Sequence, residues 1–258
     1  MAYRIYIDES GTHGDSEWLL IGMLFVPQHG ALHNAPCTAK DEVGYYHTGI
    51  RNKAKYREFH FAEARSARDV ALGKAWIDIF CNSTAHFRVL AFEWSTWNGK
   101  YFGDPFEPDT LKKRRAYKKW CELLLQPEIS SPLDGGRLRG TEVFLDHLRI
   151  AYGYDVVDHL RERFSPGAVT KIQHTQSWHD ANQCLQLTDL LLGGIKQAFS
   201  PSSGLAKLEL SSYLAEALAP FGVERLVPGF WKQYHHTTLR QKHPRFSAWC
   251  WLPERKRN

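Results

Sequence analysis

The chain has few of the features by which several common protein classes are recognised. Its longest apolar stretch, Trp18 to Val26, has nine residues, whereas a membrane-spanning helix needs about 20. The N-terminus carries a single Arg and reaches Asp8 and Glu9 before an apolar signal-peptide core could form. We therefore expect a cytoplasmic protein with neither a membrane span nor a secretory signal.

Cysteine is scarce, and its spacing fits neither a disulfide framework nor a zinc site. The five cysteines are an odd number without a CxxC pair, so we expect reduced, mostly packed thiols. There are thirteen histidines but no HExxH, and His29 and His33 lie in a glycine-containing loop. GxSxG, GxxxxGKS/T and GxGxxG are also missing, which leaves a nucleophile elbow, a P-loop and a dinucleotide site without support.

The net charge of +5 is unevenly distributed along the chain. Residues 231–258 contain seven Lys or Arg against one acid. Residues 109–125 contain six against two acids, and the six are Lys112, Lys113, Arg114, Arg115, Lys118 and Lys119. Concentrated positive charge favours a polyanionic partner such as RNA or DNA. A solvated helix face and a basic tail are the alternative interpretation.

The apolar pattern predicts one α/β domain over residues 1–258. A buried antiparallel hairpin opens it, and a long loop with little periodicity follows at about 27–57. We then predict helices at 66–81, 109–125, 155–164, 182–199 and 205–218, and strands at 87–94, 141–146 and 169–177. This alternation indicates a mixed sheet flanked by helices.

Residues 229–258 form a basic segment rich in aromatic residues. Its rings could stack on unpaired bases while its cations follow the nucleic-acid backbone. Its FSAWCW stretch, however, alternates like a strand. We therefore favour core packing for the aromatic residues and assign nucleic-acid contacts to the cations.

Three acids occupy positions where an α/β fold could bring them together. Asp8 follows the strand in YIDESG, and alternation places Glu9 on the opposite face, so we choose Asp8 for a site. Asp146 ends VFLD in the same way, with turn initiation or helix capping as the alternative. Asp189 belongs to a narrow polar stripe on an otherwise apolar helix. The stripe consists of Asn182, Gln186, Asp189, Gly193 and Lys196 or Gln197.

A fourth acid, Glu58, follows a run of alternating cations. Arg51, Lys53, Lys55 and Arg57 occupy every second position before it. If this stretch is extended, the cations line one side as a rail for phosphates, while Glu58 and His60 point together to the other. A solvated surface is the alternative. His60 and His179 could contact phosphate or water near the acids, or be ordinary partly exposed histidines.

Four carboxylates gathered in one pocket would repel one another unless a cation neutralised them. Oxygen ligands suit Mg²⁺ or Mn²⁺, and two such ions can activate water and stabilise the leaving oxygen of a phosphodiester. We therefore expect a divalent-metal-dependent nuclease acting on RNA or DNA. A non-catalytic nucleic-acid-binding or assembly subunit of the same fold is one alternative. A metal-dependent phosphatase is another, although a small substrate needs no long basic segment.

The same motifs resemble those of the bacterial and phage domain-of-unknown-function family 3800. YIDESG, EFHF, VFLD and LQLTDLLLGGI occur in that order over about residues 3–199, and HPRFSAWCW is similar to the family's ending. Thr188 stands where Ala is common in the family. The resemblance implies a ribonuclease H-like fold, with Asp8, Glu58, Asp146 and Asp189 as catalytic metal ligands. A protein partner in a defence or toxin system is a further expectation.

Overall fold

The computed structural model describes residues 2–11, 16–28, 32, 34–47, 55–129, 140–146, 156–164, 169–177, 182–221 and 246–250. Its strands are β1 (Tyr3–Ser10), β2 (Trp18–Pro27), β3 (His86–Glu93), β4 (Thr141–Asp146), β5 (Val169–Thr175) and β6 (Phe246–Cys250). Its α-helices are α1 (Ala35–Val43), α2 (Ala67–Asn82), α3 (Asp109–Ile129), α4 (Val156–Phe164), α5 (Gln183–Phe199) and α6 (Leu205–Leu218).

The strands form one mixed sheet in the order β5-β4-β1-β2-β3-β6. β2 runs antiparallel to β1 and β3, whereas the pairs β1–β4, β4–β5 and β3–β6 are parallel. The predicted fold class is confirmed, since this is an α/β sheet in a ribonuclease H-like layout that opens with an antiparallel hairpin. All strands except β2 therefore point their carboxyl ends to the same edge of the sheet.

The two faces of the sheet bury separate hydrophobic cores. β2 lies at the centre, so its side chains are buried on both faces, which explains its unbroken apolar run. Leu20, Leu24 and Val26 pack with α1, α2, α5 and α6, whereas Ile21 and Phe25 pack with α3 and α4. The site described below is built at the carboxyl edge of this framework.

The predicted loop at 27–57 contains a helix, so the prediction of an irregular connection was wrong over Ala35–Val43. This helix has only nine residues, carries Pro36 in its first turn and ends at Gly44 in the left-handed conformation. One of its buried positions is Lys40, so the helix lacks the apolar periodicity by which a helix is recognised. Residues 29–31, 33 and 48–54 lie outside the described residues.

The strand predicted in FSAWCW is confirmed as β6, which pairs in parallel with β3. Phe246 is buried, and Ala248 packs against the same core, so core packing is confirmed for these two side chains. The rest of the basic C-terminal segment, residues 229–245 and 251–258, lies outside the described residues.

None of the described helices is both long enough and apolar enough to cross a membrane. In the described part of the chain, Cys37, Cys81, Cys121 and Cys184 are free thiols, as predicted, and Cys121 and Cys184 are buried.

The N-terminus of α2 is fixed by a capping box. The Ser66 hydroxyl accepts from the backbone N–H of Asp69 at 3.2 Å, and the Asp69 carboxylate accepts from the N–H groups of Ser66 at 2.8 Å and Arg65 at 3.0 Å. The hydroxyl of Tyr45 donates to the same carboxylate at 2.8 Å. Burial acts to raise the pKa of Asp69, but these hydrogen bonds lower it to about 2. Ionised Asp69 therefore stabilises the fold.

We expect Asp69→Asn to lower the free energy of unfolding at neutral pH by about 1–2 kcal/mol, because the charged acceptor of these three hydrogen bonds is lost. The folded pKa lies below the ordinary value of 3.8, so this stabilisation is present above about pH 4 and is lost as the pH falls toward 2. Urea unfolding at several pH values should show the deficit shrinking in acid. Asp78→Asn, on an exposed acid of the same helix, is the control; a deficit in Asp69→Asn that does not vary with pH would contradict the assignment.

Candidate functional site

Asp8 and Asp146 meet at the carboxyl ends of two neighbouring parallel strands. Ile7 of β1 pairs with Leu145 of β4, so the two acids follow at the next position of each strand. They lie on the same face of the sheet as Tyr6 and Phe144, whose stacked rings have their centres 5.5 Å apart. The predicted alternation thus places both acids on one face.

Asp8 is only 8% exposed, and its surroundings disfavour its charge. Burial, followed by the negative charges of Asp189, Glu9 and Asp146, raises the pKa of Asp8 well above its ordinary value. The backbone N–H of Glu9 donates to Asp8 Oδ1 at 2.9 Å, which opposes that rise. The effect of three acids on one carboxyl group shows that the fold brings them close together.

Asp189 joins the strand acids from helix α5, which packs over β1 and β2. Its Oδ2 atom accepts from the backbone N–H of Phe61 at 2.8 Å. Burial raises the pKa of Asp189, and so do the negative charges of Asp146 and Glu58. The hydrogen bond from the Phe61 N–H and the positive charge of His60 lower it. The resulting pKa is about 6.

Gly193, one turn beyond Asp189, determines how closely the EFHF segment approaches α5. A Cβ atom at this position would lie 2.4 Å from the ring of Phe61. Only glycine leaves room for that ring, and the backbone N–H of Phe61 then reaches Asp189. Three members of the polar stripe predicted on α5, Gln186, Asp189 and Gly193, therefore hold the EFHF segment.

A buried lysine fixes the peptide groups on both sides of Glu58. Lys40 is 0% exposed, and its Nζ donates to the carbonyl of Arg57 at 2.6 Å and to Gln186 Oε1 at 2.8 Å. The same Gln186 oxygen accepts from the backbone N–H of Phe59 at 2.8 Å. Sequence reasoning did not find Lys40, because α1 has no recognisable periodicity and a lysine is rarely expected in a core.

His60 lies between two of the predicted acids. Its Nε2 is 3.2 Å from Glu58 Oε2, and its Nδ1 is 3.9 Å from Asp189 Oδ2. The hydrogen bond to Glu58, together with the negative charges of Glu58 and Asp189, raises the pKa of His60 to about 9 despite its burial. The expectation that Glu58 and His60 point to one side is confirmed, whereas His179 lies outside the described residues.

Glu58 carries its charge more readily than the strand acids. Burial acts to raise the pKa of Glu58, but hydrogen bonds from His60 and from the hydroxyl of Ser177, together with the charges of His60 and Lys40, lower it. Ser177 is itself positioned by Gln186, whose Nε2 donates to the Ser177 carbonyl at 2.6 Å. Glu58 is thus ionised at neutral pH without a metal.

Glu9 lies on the other face of the sheet from Asp8, as the alternation predicted. It accepts a hydrogen bond from the Tyr117 hydroxyl of α3 at 2.9 Å. Burial raises the pKa of Glu9 to about 8; the bond from Tyr117 opposes the rise and the charge of Asp146 adds to it. Glu9 therefore contacts α3 on the opposite face of the sheet, and its side chain affects the acidic cluster through its charge.

The donor set of Asp8, Glu58, Asp146 and Asp189 fits a hard divalent cation. Carboxylate oxygens are the ligands that Mg²⁺ and Mn²⁺ prefer, and a cation would relieve the repulsion that raises the pKa values of Asp8 and Asp189. Within the described ranges, no three His, Cys, Asp or Glu side chains are already arranged as ligands of a single ion. An ion would therefore have to draw these carboxylates together.

The cations predicted to bind nucleic acid are largely engaged with their own chain. Lys112 donates to the carbonyl of Pro105 at 3.2 Å, Lys113 pairs with Asp109 at 3.1 Å, and Arg115 pairs with Glu107. Lys55 pairs with Asp41 at 2.8 Å, and the Arg57 guanidinium lies 5.3 Å from the ring centre of Tyr45. Arg114 is half-buried, and Arg51 and Lys53 lie outside the described residues.

Neither protein-family models nor curated protein sequences match this chain. The likeness of its motifs to family 3800 is therefore carried by the residues of those motifs alone.

We expect Gly193→Ala to lower the free energy of unfolding by about 1–3 kcal/mol, because the new methyl group must displace the Phe61 ring. This cost exceeds the helix-propensity advantage of alanine, which is at most about 1 kcal/mol. Chemical denaturation measures the difference. Gly204→Ala is the control for an added methyl group that meets only the flexible end of Lys207; because Gly204 is the N-cap of α6, its own cost should stay within about 1 kcal/mol. A Gly193→Ala protein as stable as the wild type would contradict the close approach of Phe61.

We expect the His60 imidazole of the metal-free protein to hold its proton until about pH 9, as followed by NMR of the ring nuclei. Because the folded pKa exceeds the ordinary 6.5, the ion pair stabilises the protein fully below about pH 6.5 and this contribution is lost as the pH rises through about 9. Glu58→Gln should move the pKa back toward 6.5. Glu209→Gln changes an exposed acid of α6 and should leave the pKa of His60 unchanged. An unchanged pKa of His60 in Glu58→Gln would contradict the pairing.

Proposed function

We propose that this protein is a Mg²⁺- or Mn²⁺-dependent nuclease that hydrolyses phosphodiester bonds of RNA or DNA. The observation that carries the proposal is the convergence of Asp8, Asp146 and Asp189, from two strand ends and one helix, into mutual electrostatic range at the carboxyl edge of the sheet. Buried acids that repel one another are unfavourable to the fold unless they serve a cation or a proton transfer. The ribonuclease H-like layout and the motif resemblance to family 3800 support the same function.

The position of each acid in the fold suggests its role in the proposed reaction. Asp8 and Asp146 would hold the metal from adjacent strand ends, and Asp189 would complete the site from α5. Glu58, fixed by Lys40 and Gln186, would bind a second ion or orient a water molecule. When bound, divalent ions supply an activated water nucleophile and neutralise the charge of the leaving oxygen.

The charge distribution of the chain supports a nucleic-acid substrate, and its cysteines support a location in the cytoplasm. Positive residues concentrate at 109–125 and 231–258, and contacts from Lys and Arg to phosphates position a backbone without reading its sequence. The free thiols of the four described cysteines fit a reducing compartment.

A second candidate is a nucleic-acid-binding or assembly subunit that does not cut. The position of His60 between Glu58 and Asp189 favours it, because this internal cation neutralises part of the cluster without a metal. Salt-sensitive binding without metal-dependent turnover would support this candidate.

We expect labelled RNA or DNA to be cleaved in Mg²⁺ or Mn²⁺ and not in EDTA. Asp8→Asn, Asp146→Asn and Asp189→Asn should each lower the cleavage rate by about 100-fold or more, since even residues that only orient metal ligands contribute about 10–100-fold. Gel-resolved initial rates measure the effect. The control is Asp158→Asn, an exposed acid of α4 that pairs with Arg161.

Full activity in Asp8→Asn or Asp189→Asn would contradict the proposal, as would cleavage that persists in EDTA. Circular dichroism of each variant shows whether the fold is retained, so that a lost activity is assigned to the missing carboxylate. Manganese titration adds a direct readout, because the three variants should bind the ion more weakly even where cleavage is too slow to measure.

A further inference from the structure

The segment that follows β3 presents aromatic rings at the surface. Residues 94–106, which we name the aromatic segment, contain Trp94, Trp97, Tyr101, Phe102 and Phe106. Phe106 is 95% exposed and Tyr101 is 50% exposed. Single exposed apolar residues are common on proteins, but these rings are held in place at the edge of the sheet where the acids lie.

Hydrogen bonds and ring stacking hold the aromatic segment against α3. The rings of Trp97 and Phe102 stack in parallel, 5.5 Å apart, and Arg115 donates to the carbonyl of Phe102 at 3.0 Å. The backbone N–H of Phe106 donates to Asp104 Oδ1 at 2.9 Å. The exposed rings therefore lie on a preorganised turn, which lowers the entropy cost of binding a ligand.

The aromatic segment lies at the same edge of the sheet as the acids, on the α3 face, whereas the aspartates of the candidate site lie on the α5 face. β3 runs in the direction of β1, so Trp94 emerges beside the end of β1. Its indole N–H donates to the carbonyl of Gly11 at 3.3 Å, and its backbone N–H donates to the carbonyl of Glu17 at 2.9 Å. Gly11 is three residues beyond Asp8, which corresponds to roughly 10 Å along a strand.

The charge around the aromatic segment suits a polyanion. Residues 94–122 contain seven Lys or Arg against four acids. The acids Glu107 and Asp109 are paired with Arg115 and Lys113, and Lys113 Nζ also lies 5.2 Å from the ring centre of Trp94. Aromatic rings interleaved with cations are the combination that binds single-stranded nucleic acid.

We propose that the aromatic segment binds the unpaired bases of single-stranded RNA or DNA and leads that strand to the acidic cluster. This inference rests on the proposed function for its direction, since it names the substrate class of the same site. A single strand exposes base faces that can stack on the aromatic rings. A duplex keeps its bases stacked on one another and presents mainly its phosphates, so it could not use Tyr101 and Phe106.

The experiment compares fluorescently labelled oligothymidylate and oligouridylate with a duplex of the same length. Fluorescence anisotropy is measured in EDTA, where metal-dependent cleavage does not occur. The wild type should bind the single strands more tightly than the duplex. The double variant Tyr101→Ala, Phe106→Ala should lose at least about tenfold in affinity for the single strands and much less for the duplex.

Leu205→Ala is the matched control, because Leu205 is 82% exposed on α6, which packs on the other face of the sheet. It should bind every probe as the wild type does. Unchanged single-strand affinity in the double variant would overturn the proposal, and so would an equal loss for single strand and duplex. A wild type that binds neither probe would also overturn it and would leave the surface to a protein partner.

The failure of this proposal is distinguishable from the failure of the proposed function. If the wild type cleaves nothing in Mg²⁺ or Mn²⁺ but the double variant loses single-strand binding in EDTA, the aromatic segment is a binding surface on a non-catalytic subunit. If the wild type cleaves and the double variant binds single strands normally, the proposed nuclease function is supported, and the aromatic segment is excluded as its strand-binding surface.

Discussion

The repulsion among buried carboxylates is the constraint on which the rest of this site depends. The charge of Asp146 acts on both Asp8 and Asp189; Asp8 is buried, and the Asp189 side chain is 26% exposed. The pKa of Asp189 is near 6 and that of Glu9 near 8, so the cluster retains protons at pH values where an exposed acid would be fully ionised. A cation bound among these acids would relieve their mutual repulsion.

The surrounding donors orient the acids without neutralising them. Backbone N–H groups of Glu9 and Phe61 donate to Asp8 and Asp189, and the Tyr117 hydroxyl donates to Glu9. Each of these donors is neutral, so it orients a carboxylate without removing its negative charge, whereas the charge of His60 lowers the pKa of Asp189. Among the described residues the carboxylates are oriented but not yet gathered around one point, so an ion would still have to draw them together.

The sequence was sufficient to predict those parts of the fold that repeat regularly. The positions of Asp8 and Asp146 on one face of the sheet and the polar stripe of α5 follow from periods of 2 and 3.6 residues, and the unbroken apolar run of β2 follows from burial on both faces. Gly193 was recognised within the stripe, but its function was not, because the partner ring of Phe61 is distant in sequence. Lys40 was missed because its contacts to Arg57 and Gln186 exist only in the folded chain, and burial of a lysine contradicts the general rule.

Two cations, the buried Lys40 and the partly exposed His60, account for a difference between Glu58 and the other acids. Lys40 and His60 both lower the pKa of Glu58, whereas the charges that dominate at Asp8 come from other acids. Burying Lys40 away from water is costly by itself, and its bonds to the Arg57 carbonyl and Gln186, with three aromatic rings around it, offset that cost. Glu58 is therefore charged and paired with His60 before any metal arrives, whereas burial and the neighbouring acids raise the pKa values of Asp8 and Asp189. The first divalent ion would gain most by binding among Asp8, Asp146 and Asp189, and an ion that also recruited Glu58 would have to compete with His60.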